Sequence, residues 1–399
     1  MIVGGGPGGM AAALALAARG LSVCLADALG ELAPLPASGF DLRVVALNRS
    51  SQQFLTHLGV WPHLDKTRIA AFEAMRVWDA QGFGEIVFDA GTLATSCLGH
   101  IVETANLMHA LEQVRAAHDN LTVMRGVRVT SIHCQSDGVL ARLSDGGRIS
   151  GQVLIGADGG RSVVREYCRI EAWTRSYEQV AVVANLRMSD GHANTAWQRF
   201  MPSGPLAVLP LPGDYASIVW TTTPQSAGEL LALGSDEFAQ AVGEAFAWRR
   251  GEVVWSGSRG SFPLFRVRAR HYVATRVALM GDAAHTVHPL AGQGLNLALM
   301  DAAALADVLG EVFASGGDIG TRTALRRYER WRKTHNLATQ YTMDGLRWLF
   351  GNSSTPLRIL RNLGLSAASR AGPFKTALAR LACGLSGDLP PAARPPLDS

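Results

Sequence analysis

Met1-Ile2-Val3-Gly4-Gly5-Gly6-Pro7-Gly8-Gly9 opens the chain, and its reading decides the fold. Three apolar residues run into a glycine corner, residues 10–18 are dominated by Ala and Leu, and Leu21-Ser22-Val23-Cys24-Leu25-Ala26-Asp27 follows as a second apolar run ending in an acid. Strand, glycine turn, helix, strand and acid in that order describe a βαβ unit that binds a dinucleotide. Gly4 makes the tight turn, Gly6 lets a pyrophosphate approach the helix start, and Gly9 brings the helix onto the strand. Asp27 stands where a carboxylate accepts from ribose hydroxyls. The plain alternative is a glycine loop before an ordinary core helix, and the ordered second strand with its terminal acid argues against it.

Two further segments repeat the order of strand, small residues, helix. Gln152-Val153-Leu154-Ile155 leads into Gly156-Ala157-Asp158-Gly159-Gly160-Arg161-Ser162-Val163-Val164-Arg165. Arg276-Val277-Ala278-Leu279-Met280 leads into Gly281-Asp282-Ala283-Ala284-His285, and after Thr286-Val287 comes His288-Pro289-Leu290-Ala291-Gly292-Gln293-Gly294-Leu295-Asn296. Residues 295–308 have the composition of a helix. The Pro- and Gly-rich corner before them lets backbone N–H groups at a helix start approach an electron-rich group, where the dipole favours negative charge. Asp282 offers carboxylate oxygens to hydroxyls.

With these three fingerprints in order, the chain resembles the class A flavoprotein monooxygenases, which share the p-hydroxybenzoate hydroxylase-like fold. The run 285–297 narrows the resemblance to the UbiH/UbiF/VisC/COQ6 family of ubiquinone-biosynthesis hydroxylases. Asp41-Leu42-Arg43, Leu98-Gly99-His100-Ile101-Val102-Glu103, Gln198-Arg199-Phe200, Gly204-Pro205-Leu206-Ala207, Leu209-Pro210-Leu211 and Ser217-Ile218-Val219-Trp220 point the same way. Three departures stand out. The first strand has only Met1-Ile2-Val3 where the family has several more residues, so an abbreviated start is one expectation. Thr104-Ala105 occupies the place of an Asn-Arg pair, and Asp27 replaces the commoner Glu.

The resemblance implies an α/β fold: a Rossmann-like FAD-binding domain of the glutathione-reductase type with an inserted mixed-sheet substrate domain and C-terminal helices. The expected division is a discontinuous FAD domain of residues 1–70, 101–175 and 271–335 and a substrate sheet of 71–100 and 176–270. A helical segment of 336–387 and a disordered tail of 388–399 complete it. The function implied is hydroxylation of a polyprenylated phenol by molecular oxygen through a flavin C4a-hydroperoxide, with FAD as cofactor and NAD(P)H as transient electron donor. A quinone-biosynthesis complex is a candidate partner. Alternatives are another flavin monooxygenase, an isoprenoid reductase, or a non-catalytic subunit of such a complex; a halogenase is disfavoured because WxWxIP is absent.

Within that resemblance Gly4, Gly6, Gly9, Asp27, Arg43, Asp158, Asp282, Gly294, Leu295 and Asn296 are the cofactor-binding candidates, with Asp158 and Arg165 read mainly as supports. Pro289 and Leu290 are expected to line the reactive ring face, Gly292 to contribute an amide, and His288 is a candidate for proton transfer. For His285 and His288 a loop histidine bonded to nearby backbone is the favoured alternative. Arg199, Phe200 and Leu209 are the substrate-pocket candidates.

Bulk properties agree. A chain of 399 residues can bury a large core, and 48% hydrophobic with 18% charged residues describes a globular protein. A net charge of +4 from scattered arginines gives no nucleic-acid footprint. Cys24, Cys97, Cys134, Cys168 and Cys383 show neither a CxxC nor metal-ligand spacing, so no metal is expected and the thiols read as reduced in a cytoplasm. No apolar run reaches the length of a membrane span. Basic amphipathic stretches at 346–350, 357–363 and 375–381 suggest either helices capping the domain or a peripheral contact with the inner membrane.

Overall fold

A computed structural model describes residues 1–82, 84–288, 292–351 and 372–396. The βαβ reading holds. Ile2–Val3 lies between Leu154–Gly156 and Val23–Asp27 in a six-stranded sheet continued by Leu121–Arg125 on one side and by Val277–Leu279 and Val273–Ala274 on the other. All its pairings are parallel except that of Val273–Ala274, so all three fingerprint strands end at the same edge. Ligands of open parallel sheets bind at that edge.

The helix Pro7–Ala18 is apolar on every side and is buried from Gly9 to Ala17, as such a helix must be. Its alanines let it pack between the sheet and the long helix Gln293–Ala314, itself buried through most of its length. Two small antiparallel sheets flank this core: Val129–Cys134 with Val139–Leu143 and Arg148–Gly151, and Val44–Asn48 with Gly99–Glu103 and Ile69–Phe72.

The second layer is a seven-stranded sheet in the order Val253–Ala269, Ala172–Met188, Tyr215–Thr222, Gly204–Pro210, Thr195–Met201, Ala74–Asp79, Glu85–Asp89. Its strands alternate between two faces with the period of two that β geometry imposes. Val182, Trp197, Val208 and Ile218 pack under the helices Pro224–Ala232 and Ser235–Phe246, while their neighbours Val183, Gln198, Leu209 and Val219 line a cavity on the other side.

Two expectations about the C-terminal part differ from the structure. The division at 335/336 falls inside one continuous helix, Arg322–Gly351, whose Tyr328, Arg332 and Asn336 are buried against the first layer. The expected disordered end is packed on the core as far as Ala393. Leu389 and Ala393 are buried in the core cluster, and Trp331 Nε1 donates to the Asp388 carbonyl. Proline there terminates hydrogen bonding without preventing burial. The amphipathic run 357–363 lies outside the described residues; 375–381 falls in the helix Gly372–Ala382.

Candidate active site

The three fingerprints meet at the common strand edge. Gly4 has φ +105°, and a Cβ there would strike the Ala157 carbonyl and sit 2.8 Å from Asp158 Cα, so the first and second fingerprints touch through a position open only to glycine. Met280 N–H donates to the Gly156 carbonyl at 2.9 Å, and the third fingerprint thereby joins the second. A Cβ on Gly9 would run into the Gly4 carbonyl. On Gly6, by contrast, it would meet nothing within 4 Å: the space before the first helix is open, its N-cap has no side-chain hydrogen bond, and its first turn has no acid.

Asp27, 6% exposed, accepts from Leu29 N–H at 3.2 Å through Oδ1. Its Oδ2 lies 3.7 Å from Nη1 of Arg125, a nitrogen with no hydrogen-bond partner, while Arg125 Nη2 donates to Glu112 at 2.8 Å. Sequence reading did not find Arg125. The signal is the parallel pairing of Asp27 with Arg125, visible only once Val23–Asp27 and Leu121–Arg125 are adjacent.

Below this edge a cavity of about 550 Å³ extends toward the seven-stranded sheet. Asp282 opens onto it: its surface is accessible, yet protein surrounds it closely enough that desolvation raises its carboxyl above the ordinary value. Gly292, Gly294 and Leu295 also line it. Gly292, in the left-handed region at φ +59°, is the N-cap of Gln293–Ala314, without a side-chain cap and without an acid in the first turn. The positive end of that helix therefore faces the cavity. Arg43 reaches the same cavity with no side-chain partner among the described residues. Its loop is held by Glu103, fully buried, which takes Arg68 through both carboxylate oxygens at 2.6 and 2.8 Å and accepts from Asp41 N–H. Thr104 lines the cavity as well, although sequence reading carried no contact onto it.

Other candidates serve different ends. Asn296 turns away from the cavity: Nδ2 donates to the Ala46 carbonyl at 2.8 Å and Oδ1 accepts from Asn48 N–H at 3.1 Å, stitching the helix to Val44–Asn48. Asp158 is spent on Ser162 Oγ at 2.6 Å and Val164 N–H at 3.1 Å, capping Val163–Tyr167. Arg165 donates to the carbonyls of Ala283 and Gly160 at 2.8 and 2.7 Å, clamping the second fingerprint to the third.

His285 is bonded to a carboxylate, not to backbone. Its Nε2 lies 2.5 Å from Oδ2 of Asp301, which also accepts from Gly281 N–H, Arg332 Nε and Asn336 Nδ2 at 2.8–3.1 Å. Burial alone would raise the Asp301 carboxyl, but His285 and Arg332 overcome it and hold it far below the usual range. This buried cluster fixes the Gly281 turn, and its members are scattered over three separate segments of the chain, which hides it from a local reading. His288 is also buried, edge-on to Tyr177 at 4.9 Å, and neither ring nitrogen has a partner. Burial, and then the Arg347 charge, lower its pKa to about 4. It is therefore neutral near pH 7, and His288→Gln is expected to leave the shape of kcat/KM between pH 5 and 8 unchanged; loss of a titration limb near pH 6.5 would contradict this.

Leu209 lines the cavity, but Arg199 and Phe200 do not. Arg199 lies on the opposite face of its strand and donates to the carbonyls of Glu244 and Ala245 at 3.2 and 2.8 Å, capping Ser235–Phe246. Phe200 is on the cavity side but stacks on Phe350 at 3.9 Å. Arg199→Ala is expected to cost about 1 kcal/mol of stability by urea unfolding while leaving kcat/KM within about twofold. A tenfold fall in kcat/KM would restore it to the pocket. Pro289 and Leu290 lie outside the described residues.

A family model described as an FAD binding domain matches residues 1–343. The chain is 36% identical over 385 residues to 3-demethoxyubiquinol 3-hydroxylase of Escherichia coli (strain K12), covering 96% of this chain and 98% of that one. The chain belongs to the ubiquinone-biosynthesis hydroxylase family of FAD-binding proteins. It is likewise 36% identical to the mitochondrial ubiquinone biosynthesis monooxygenase COQ6 of Homo sapiens, over 84% of this chain and 81% of the other. Among solved structures, p-nitrophenol 4-monooxygenase PnpA from Pseudomonas putida DLL-E4 superposes with a TM-score of 0.76 at 18% identity, covering 95% of each chain, which speaks for the fold.

FAD is the cofactor of this hydroxylase family, and the residues present fit it. The open space at Gly6 before an uncapped helix start suits a pyrophosphate, and Asp27 a ribose. The second uncapped helix start, at Gly292–Leu295, suits the electron-rich end of a flavin ring, with Asp282 and Arg43 supplying a hydroxyl acceptor and a cation.

Proposed function

We propose that the protein is an FAD-dependent monooxygenase that hydroxylates the aromatic ring of a prenylated phenol in ubiquinone biosynthesis, with NAD(P)H as reductant. One observation carries the reading: a single cavity is bounded on one side by the candidate cofactor residues Asp282, Gly292, Gly294 and Leu295 and on the other by the apolar face Val183, Ala207, Leu209 and Val219. Bound FAD supplies the electron transfer and oxygen activation that no side chain can provide. The protein places the ring against it, excludes water with its apolar wall, and aims the Gly292–Leu295 helix start at negative charge.

No side chain is assigned as a base. Neutral His288 is shut in the wall, and the Tyr177 hydroxyl donates to Asp344 at 2.9 Å, with burial first and that carboxylate next pushing its pKa up. The phenol's own oxygen activates its ring, so positioning suffices.

The reading includes a peripheral lipid contact, which would bring a prenylated substrate to the cavity. It is supported by Trp173, Tyr341 and Trp348, each more than half exposed, and by Arg268, whose guanidinium lies 5.6 and 5.1 Å from the rings of Trp173 and Tyr341. Among the described residues no helix is long and apolar enough to cross a membrane. A quinone-biosynthesis complex would be reached through the same face.

Removal of the gene from a quinone-making host, followed by mass spectrometry, tests the function. Accumulation of a prenylated phenol one oxygen short of the next intermediate is expected; an unchanged quinone profile in a host without a second such hydroxylase would contradict it.

A further inference from the structure

Gln198 is 5% exposed and lines the cavity, yet its side-chain amide has no hydrogen-bond partner among the described residues. A primary amide on a buried residue is ordinarily hydrogen-bonded, to protein or to ordered water. Gln340, for example, donates to the carbonyls of Val267 and Thr286 at 3.0 Å, and Gln179 to Ser203 at 2.7 Å. The amide of Gln198 opens onto the cavity instead of being closed in by protein.

The strand alternation explains where Gln198 points. Its neighbours Trp197 and Arg199 face the helix layer, where Trp197 Nε1 donates to the His192 carbonyl and Arg199 caps a helix. Gln198 faces the other way, between Ala207 and Val77 on the adjacent strands, with Ala196 and Leu209 beside it in the wall. The remaining wall from this sheet is apolar, or already committed like Tyr177. Among the described residues that the sheet brings to the cavity, Gln198 therefore holds the one side-chain donor not already spent.

Resting on the function proposed above, we infer that Gln198 is the residue that grips the oxygen substituent of the aromatic ring and so sets which ring carbon is presented for hydroxylation. A primary amide suits the task because it donates to a phenolate or alkoxy oxygen and accepts from a phenol hydroxyl without titrating. Small neighbours leave room for a ring, and the apolar wall keeps water from competing for the amide, so a substrate lacking the oxygen leaves the amide unpaired and is rejected.

The test titrates the FAD-loaded wild type and Gln198→Leu, by calorimetry, with a short-chain prenylated phenol and with the same compound lacking the ring hydroxyl. The wild type is expected to prefer the phenol by about fivefold or more, the effect of one hydrogen bond made away from water, and Gln198→Leu to lose that preference while keeping its FAD. Gln198→Met, which keeps the side-chain length, replaces Leu if the leucine unsettles the sheet. In turnover, the variant is expected to convert less of its consumed NAD(P)H into a single product, with hydrogen peroxide or a second regioisomer taking the difference. A variant that retains the wild-type preference and regiochemistry while the wild type hydroxylates the phenol overturns the role of Gln198 alone. A wild type that binds neither compound overturns this role and the proposed function together.

Discussion

Gly6→Val is expected to give a folded, colourless protein with FAD affinity reduced by at least about 100-fold. Two or more amide hydrogen bonds to a charged pyrophosphate are lost, each contributing about 1.5–3 kcal/mol. The fold should survive because Gly6 sits at φ −67°, where any residue is comfortable, and an added Cβ touches no protein atom within 4 Å. Bulk at this position fills only the space before the helix start. Gly4→Ala is the contrasting control: its left-handed backbone and the Ala157 carbonyl would make that change a defect of the sheet itself. FAD-to-protein ratio after desalting, beside the melting temperature of both apoproteins, reads the difference. A Gly6→Val protein as yellow as the wild type would remove the pyrophosphate from this helix.

The second large effect is expected at Asp301→Asn. Arg332 and Asp301 are both fully buried, and the aspartate carries His285, Arg332, Asn336 and the Gly281 amide at once. Removing its charge leaves the guanidinium uncompensated in the core, a loss of about 3–5 kcal/mol in urea unfolding of the apoprotein. The sign with pH follows from the depressed carboxyl. A group whose folded pKa lies below its unfolded value, about 3.9 for Asp, stabilises the fold fully above that value and loses its contribution as pH falls through the folded pKa. The gap between wild type and variant should thus stay level across pH 5–8 and narrow only in strong acid. A gap below about 1 kcal/mol at pH 7 would mean that this cluster does not anchor the Gly281-Asp282 turn.

What the sequence disclosed, and what it hid, follows the range of each interaction. The glycine corner at 4–9, the acid at 27 and the turns at 156–160 and 281–285 are local, since strand, turn and helix signals lie within a few residues of each other. The α/β fold was legible from them, and so was the strand edge at which the candidate FAD-binding residues gather. The faces of the seven-stranded sheet were not, because a run such as Gln198-Arg199-Phe200 alternates sides, and only the packing of Ser235–Phe246 on one of them shows which is the wall of the cavity. Phe200 lies on the correct face and is nevertheless lost to the pocket, because the helix Arg322–Gly351 brings Phe350 across it from far along the chain. Arg125 beside Asp27 and Arg332 beside Asp301 are equally remote pairings. Conversely, Asn296 and Asp158 have the residue types of ligands and sit in the right motifs, yet their hydrogen bonds go elsewhere: to the distant Ala46 carbonyl and Asn48 amide for Asn296, and to nearby Ser162 and Val164 for Asp158.

Separated segments build one pocket that would hold FAD against an aromatic ring, where NAD(P)H and dioxygen are consumed, one oxygen atom enters the ring and the other leaves as water. Incubation of the FAD-loaded protein with NAD(P)H, a prenylated phenol and ¹⁸O₂ measures this directly. The expected product carries a single ¹⁸O on the ring and forms in step with NAD(P)H oxidation. Label taken up instead from H₂¹⁸O, or NAD(P)H oxidation that yields only hydrogen peroxide with every phenol offered, would contradict it.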